Sequence, residues 1–548
     1  MIEDKLAILI KKSIANAQNK NEFNDFVIPE VQIDRPHLTE HGDFATNIAL
    51  QLKSKTEKDA MENAEIITNN ILDNEVIENI NIVLPGFINI NVKQSWIVEQ
   101  IKLINNKEFG NHDLGLDQSV QIEYVSSNPT GPIHIGNGRG ASIGATLAKV
   151  LKKCGYRTEE EFYINDTGNQ VKLFGETLFA RYSALYDVKM PIPENGYLGE
   201  YMIDLANKIK NEYHDSYLDE EKNTELTELG LSIMIEQIQD ELSSIGVEYT
   251  NWFYESMLHE KKTLELVIRM LDEKQFISHK DNAVWFLSTK LGDDKDNVLI
   301  RSDGTPTYFA ADIAYHFNKF SERKFDRVIN IWGADHQGHV SRLKKAMKAL
   351  NINEDRLDVL LYQLITLKRG NTIVPLSKRS GDIISLNEVF TETGKDAMRF
   401  FFLSQSANQS MDFDLELAKK QTKDNPVYYV QYAHARIHAI LDKASHENYS
   451  ISYDNLDLIK ENEEISLIKK LIEYPSLIKK VATELAPHHL PHYSIELAQL
   501  FHIFYTKCRV IDESNKKLTE ARLALLDACR IVLRDTLELI GVTAPEQM

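Results

Sequence analysis

Apolar and polar positions change period several times along the chain, and each change marks a different kind of element. Up to about residue 110, apolar positions recur every three to four residues over 5–16 and 60–72, which predicts helices. The alternating pieces 31–33, 80–83 and 87–92 predict strands, so this first segment is an α+β module, closed by the turn-rich Asn111-His112-Asp113-Leu114-Gly115. From Val120 the pattern switches element by element, as a parallel sheet requires. A strand over 120–125 runs into a loop of Ser, Asn, Pro and Gly, then into a helix predicted to begin near Gly136; Phe162-Tyr163-Ile164 is a second strand. Between Leu173 and about Trp285 the alternation stops, and one-sided apolar positions such as Leu231, Met234, Ile238, Leu242 and Ile245 predict a helical insertion that splits the sheet. Strands resume at 298–300 and 327–332, each followed by a loop and a helix. A loop over 368–382 leads to a helix over 396–403, and from residue 425 onward the pattern predicts only helices, over 427–441, 465–485, 495–510 and 518–540.

Composition narrows this picture in a few places. A chain of 548 residues predicts three or four domains. With 62 basic against 82 acidic side chains the net charge is −20, which argues against nonspecific coating of nucleic acid but leaves room for a local basic surface facing one folded RNA. Cys154, Cys508 and Cys529 are far apart and form no C-x-x-C pair, so neither a zinc site nor a disulfide framework is expected. His488, His489 and His492 are near one another, but Pro491 is expected to break the local helix, and no metal site is expected. The start reads as a charged amphipathic helix without a signal-peptide pattern, and no apolar run reaches spanning length; a reducing cytoplasm is the expected compartment.

Two loops carry candidate chemistry. A helix starting near Gly136 would turn its unsatisfied N–H groups and positive dipole end toward the loop before it, a place for an anion such as phosphate. Read alone, His134 with Gly136, Gly138 and Gly140 equally fits a capped, solvated turn. The dinucleotide fingerprint fails, since Ala141 and Ile143 stand where its third glycine would be, and no Gly-Lys-Ser or Gly-Lys-Thr follows for a Walker loop. The second loop, Val374-Pro375-Leu376-Ser377-Lys378-Arg379-Ser380-Gly381, holds two cations and two hydroxyls, and alone it reads as a solvated basic turn.

Taken together the two loops resemble the HIGH and KMSKS pair of class I aminoacyl-tRNA synthetases. The runs Glu123 to Gly140, Tyr163 to Gln170, Tyr308 to His316, Trp332 to Gln337, Asn425 to Arg436 and the closing Ala544-Pro-Glu-Gln-Met548 are similar to those of arginyl-tRNA synthetases of the bacterial type, over the whole chain. The resemblance implies an α/β, class I Rossmann-like catalytic domain with a helical insertion, an N-terminal α+β domain and a C-terminal all-α anticodon-binding domain. The expected boundaries are 1–110 for a D-loop-binding module, 111–170 and 296–360 for the halves of the catalytic domain, 171–295 for the insertion, 361–424 for the KMSKS-like loop and stem-contact region, and 425–548 for the anticodon domain.

It also implies substrates and roles: L-arginine, ATP with Mg²⁺, and tRNA(Arg), used by a monomer. A guanidinium fork calls for carboxylates, and Glu123 and Asp312 are the candidates, with Tyr308 one helical turn from Asp312. By resemblance Asp312 and Tyr308 take the guanidinium, Asn128 the amino-acid end, and Glu123, Ser126 and Gln337 complete the pocket. His134 and Lys378 are the expected catalytic groups on the ATP phosphates. Gly131, Gly136, Asn137, Ser377 and Arg379 are expected around the nucleotide, and Gly333 and Asp335 toward its nucleoside. Phe87 and Asn89 are expected at the tRNA D-loop, and Arg436, Tyr505 and Met548 at the anticodon. A pocket of this kind rejects analogues lacking the guanidinium by roughly 10⁴ or more, so no editing domain is expected. Two positions depart from the family pattern: Asn137 replaces the second histidine of HIGH and Pro375 the first lysine of KMSKS. They motivate the rival reading, a catalytically weak tRNA-binding paralogue.

Overall fold

The segment expected to start the sheet forms its central strand. In the computed structural model, which describes residues 1–36, 38–106, 108–375 and 384–548, five parallel strands align: β1 (Ser119–Tyr124), β2 (Arg157–Ile164), β3 (Asn251–Tyr254), β4 (Arg327–Gly333) and β5 (Leu357–Tyr362). Their order across the sheet is β5-β4-β1-β2-β3, which read from the other edge is the 3-2-1-4-5 of a doubly wound nucleotide-binding fold. Val120, Gln121, Ile122 and Tyr124 of β1 have no exposed surface, as befits a strand covered on both faces. Helix α1 (Ile135–Lys153) follows β1, and α2 (Tyr308–Phe317) and α3 (Gln337–Ala349) flank β4 in sequence. A π-helical turn, Asn318–Glu322, continues α2.

The glycines of α1 are explained by packing. A Cβ at Gly138 would meet the Leu386 side chain, one at Gly140 the Tyr362 ring, and one at Gly144 the Tyr124 ring, well inside van der Waals contact. Tyr124 is fully buried and donates a 2.5 Å hydrogen bond to Glu160, so its ring has nowhere to retreat. Gly144→Ala is therefore expected to cost about 2–3 kcal/mol, in the range for an over-packed core; the urea midpoint measures it, and an unchanged midpoint would refute the close approach.

Three expectations are corrected here. Asn251–Tyr254 pairs in parallel with β2, so the sheet resumes well before residue 295 and the helical insertion ends with Asn223–Ser244. Asn297–Ile300 is a strand, but it lies antiparallel to Ala283–Phe286 in a separate three-stranded sheet with Ile277–Lys280. At 31–33 no strand forms; Asp34 makes an isolated bridge to Ala45.

The molecule divides into two units: one of Met1–Gly110, Ile437–Ser476 and Gln499–Val532, the other of Asn111–Arg436, Leu477–Ala498 and Leu533–Met548. The helices after residue 425 are thus shared between the units. In the first unit Phe87–Val92 is the middle strand of an antiparallel sheet with Phe44–Thr46 and Ile77–Val83, and Arg522 donates to the fully buried Glu464 carboxylate at 2.6 Å. The helix expected over 465–485 is two, Asn462–Leu471 and Tyr474–Glu484. Pro475, which has no N–H to donate, is in the first turn of the second. For the same reason Pro491 does not break a helix: it lies in the first turn of His489–Lys507.

Candidate active site

β1 and β4 are neighbours at the point where the strand order reverses, and ligands of such sheets bind beyond the carboxyl ends of the strands there. A cavity of about 440 Å³ lies at this point, walled by Glu123 of β1, Ser126 and Asn128 after it, Asn137 of α1, Asp312 of α2, Gly333 at the end of β4 and Asp335 after it. It shares Asp312, Asp335, His336 and His339 with a second cavity of about 650 Å³, lined also by Tyr308 and Arg342. Asn128 is shared with a third, of about 980 Å³, to which Gly131 and Ser385 contribute.

The wall after β1 is a strained turn. Val125 and Ser126 both have left-handed backbones, with φ of 69° and 42°, costly for a β-branched residue and tolerated where the surroundings over-determine it. Ser126 is fixed on both sides: its Oγ donates to Glu123 Oε1 at 2.9 Å and accepts from the Tyr163 amide at 3.2 Å. The other Glu123 oxygen accepts from Lys319 Nζ at 2.6 Å. Lys319 has no exposed surface and is presented by the π-helical turn. It also donates to Asn330 Oδ1 at 3.2 Å, Asn330 Nδ2 faces His316 Nε2 at 2.7 Å, and His316 Nδ1 faces the Asp312 carbonyl oxygen at 2.7 Å. A carbonyl only accepts, so His316 carries its proton on Nδ1; burial first, then Lys319, holds its pKa well below the usual histidine range.

Asp312 has a different partner. Its carboxylate lies 2.6 Å from His339 Nε2, a close pair whose geometry is off the N–H axis. His339 Nδ1 accepts from Arg342 Nε at 2.8 Å, which puts the ring proton on Nε2, the nitrogen nearer Asp312. Asp312 keeps 30% of its side-chain surface exposed, at the junction of the first two cavities. Across from it Tyr163 donates to Glu255 at 2.8 Å; burial and then the Glu255 and Asp312 charges raise its pKa, so it stays a donor.

At the start of α1 the expectation of bare N–H groups is corrected. The Ile135 amide donates to Ile384 O at 3.1 Å, that of Gly136 to His134 Nδ1 at 3.0 Å, and that of Asn137 to His134 O at 2.9 Å. His134 is the N-cap, and because its Nδ1 accepts, its proton is on Nε2. The chain following residue 383 is tied to this turn: Leu386 donates to Ile133 O at 2.8 Å, and His134 and Ser385 form an isolated bridge.

Of the residues expected here, Glu123, Ser126, Asn128, Asn137, Asp312, Gly333 and Asp335 are brought together around one cavity, with Tyr308 and Gly131 on the adjoining ones. Ser377, Lys378 and Arg379 lie outside the described residues. Gln337 is exposed in the first turn of α3 and lines none of the three cavities, although its neighbours His336, Gly338 and His339 do. Sequence reasoning missed His316, His339 and Tyr163 on the cavity wall, where Ser127, Tyr315, His336 and Tyr362 also contribute, and Lys319 behind it. Among the expected RNA contacts, Phe87 is 40% exposed, whereas Asn89, in a strand flanked on both sides, is only 5% exposed and does not offer its amide. Tyr505 is half-buried and stacked on Phe501 in the first unit, and Arg436 and Met548 belong to the second.

Family models match three successive stretches: the arginyl tRNA synthetase N terminal domain over residues 4–92, the class I (R) tRNA synthetase catalytic domain over 98–438, and the DALR anticodon binding domain over 430–548. An arginine–tRNA ligase of Dehalococcoides mccartyi is 50% identical over 524 residues, 95% of this chain and 94% of its own. One of Desulforamulus reducens is 44% identical over 100% of this chain and 99% of its own. The solved arginyl-tRNA synthetase of Thermus thermophilus superposes over 100% of both chains with a TM-score of 0.79 at 19% identity, a likeness of fold.

Proposed function

The chain belongs to the arginyl-tRNA synthetases, and from that premise we propose how its crevice seats the substrates. It is an arginine–tRNA ligase of class I, using ATP to activate L-arginine and passing the arginyl group to the 3′-terminal ribose of tRNA(Arg). The guanidinium is taken by Asp312, with Tyr308 beside it, because an always-charged fork is matched best by a carboxylate able to accept two of its N–H groups. The observation that carries this reading is the position of Asp312 at the junction of two cavities, oriented by His339 yet still open to a ligand. Asn128 takes the amino-acid end, with Glu123 and Ser126 behind it as wall; Gln337 is left out of the seat.

ATP lies over the start of α1, between Gly131 on one side and Gly333 and Asp335 on the other, with Gly136 and Asn137 beneath. His134 donates from Nε2 to its phosphates, and Lys378, with Ser377 and Arg379, supplies cationic and hydroxyl partners from the second loop. An arginine carboxylate oxygen attacks the α-phosphorus, the bond to the bridging oxygen breaks and pyrophosphate leaves. Such a transfer needs positioning and charge stabilisation more than proton transfer. The terminal ribose hydroxyl then attacks the activated carbonyl and AMP leaves. Mg²⁺ arrives on the phosphates, since it favours phosphate oxygens and water over a dedicated cage, and among the described residues no three His, Cys, Asp or Glu side chains converge on an ion site. Phe87, Tyr505, Arg436 and Met548 are the proposed tRNA contacts; Asn89, being buried, is not. The setting is a cytoplasmic monomer, where aminoacylation substrates are found.

ATP–pyrophosphate exchange tests the whole reading. Exchange that requires arginine, measured with and without tRNA(Arg), is the expected result; no exchange under either condition would leave only the paralogue.

A further inference from the structure

Glu123 and Asp312 both face the crevice, but only one of them has its charge cancelled from inside the fold. Lys319 lies 2.6 Å from Glu123 and has no exposed surface, and the π-helical turn that carries it places it behind the cavity wall. Every oxygen of Glu123 is engaged, one by Lys319 and one by Ser126. Asp312 is paired instead with a histidine whose second nitrogen accepts from Arg342, so its partner is a neutral ring and not a buried cation. The other ionisable groups around the pair face Glu161 rather than Glu123, though the Lys319 charge also acts on Glu161 and burial works against it. Arg323 bridges Glu159 and Glu161, Tyr315 donates to Glu161 at 2.5 Å, and burial with nearby carboxylates holds Tyr163 and Tyr249 protonated.

We infer that Lys319 is a positioning residue for arginine recognition: it neutralises Glu123 and keeps it in the wall, so that Asp312 is the carboxylate that reads the guanidinium. This rests on the arginine reading of the crevice and reassigns Glu123 within it. Two carboxylates of equal charge would offer the guanidinium two registers, and only one would set the substrate carboxylate against ATP. A neutral Glu123–Lys319 pair removes the second. Burying an ion pair gains little stability over an apolar one, so a role in recognition gives the pair a reason that stability does not.

The test is a charge balance read in the KM for arginine, by ATP–pyrophosphate exchange with the full chain and tRNA(Arg). Lys319→Met leaves the Glu123 charge uncompensated, and the KM is expected to fall about tenfold with kcat falling alongside, the mark of a cation held in the wrong register. Glu123→Gln leaves Lys319 uncompensated, and the KM is expected to rise by about the same factor. The double variant restores neutrality and returns the KM toward the wild-type value. Should Lys319→Met fail to fold, Lys319→Gln carries the same charge change, and thermal melts of each variant separate lost folding from altered recognition. If both single variants raise the KM, or leave it unchanged, or the double variant does not recover, the inference is overturned and Glu123 contacts the substrate directly or serves only the fold. Asp312→Ala run in parallel separates the two levels: an unchanged KM there removes the arginine reading itself.

Discussion

Asp312→Asn is expected to raise the KM for arginine about 100-fold in ATP–pyrophosphate exchange, with a smaller effect on kcat. Asparagine keeps the shape of the side chain and one acceptor oxygen, so the substitution isolates the charge and the second acceptor. Removing one partner of a buried, hydrogen-bonded charge pair costs about 2–5 kcal/mol, or roughly 30- to 4,000-fold in affinity. Asp312 keeps 30% of its side-chain surface exposed, and water screens part of the interaction, which places the effect in the lower half of that range. The variant also turns an amide N–H toward substrate or His339, where an acceptor stood. Discrimination against an uncharged ureido analogue of arginine should shrink with the KM, because the site rejects that analogue by leaving its carboxylate unpaired. A KM within threefold of wild type, in a variant that melts normally, would mean that the guanidinium is read elsewhere.

Much of this site is legible in the sequence where the signal is local. The strand, Ser-Asn-Pro-Gly loop and helix around His134 are written in a short stretch, and β1 and α1 start within a residue or so of expectation. Tyr308 and Asp312 share a helix face because their spacing requires it. What is not legible depends on partners distant in the chain or on a change of helical phase. Lys319 stands in Asn-Lys-Phe-Ser-Glu, which reads as a solvated helix end; the π-helical turn changes which face its side chain takes and buries it. Asn251–Tyr254 is a four-residue strand defined by pairing with β2 about ninety positions earlier, too short for its own periodicity to declare it. Asn297–Ile300 was recognisable as a strand, but its neighbours and their direction are tertiary facts. The Ile135 amide belongs to the same class, since its acceptor, Ile384, comes from the far side of the second loop, whereas the Gly136 and Asn137 amides are satisfied locally by His134.

His134→Asn and His134→Ala separate the two tasks that converge on His134. In its capping role Nδ1 accepts from the Gly136 amide at 3.0 Å. Asparagine is among the best N-cap residues, whereas alanine forfeits about 1 kcal/mol there. The asparagine variant is therefore expected to melt within a few degrees of wild type, and the alanine variant measurably lower. In the catalytic role proposed for it, the Nε2–H would donate to charge that builds on the phosphates in the transition state. Losing one such preorganised donor costs about 10²–10³ in kcat, so both variants are expected to be slower by about that factor, with the KM for ATP changing much less. Asn137 sharpens the expectation: the family pattern's second histidine is already an amide in this chain, so His134 holds the imidazole of that motif alone. If His134→Asn retains kcat within threefold, the imidazole serves only as a cap. Charge stabilisation would then rest on Lys378 and its neighbours, and Lys378→Ala would have to account for the whole 10²–10³ by itself.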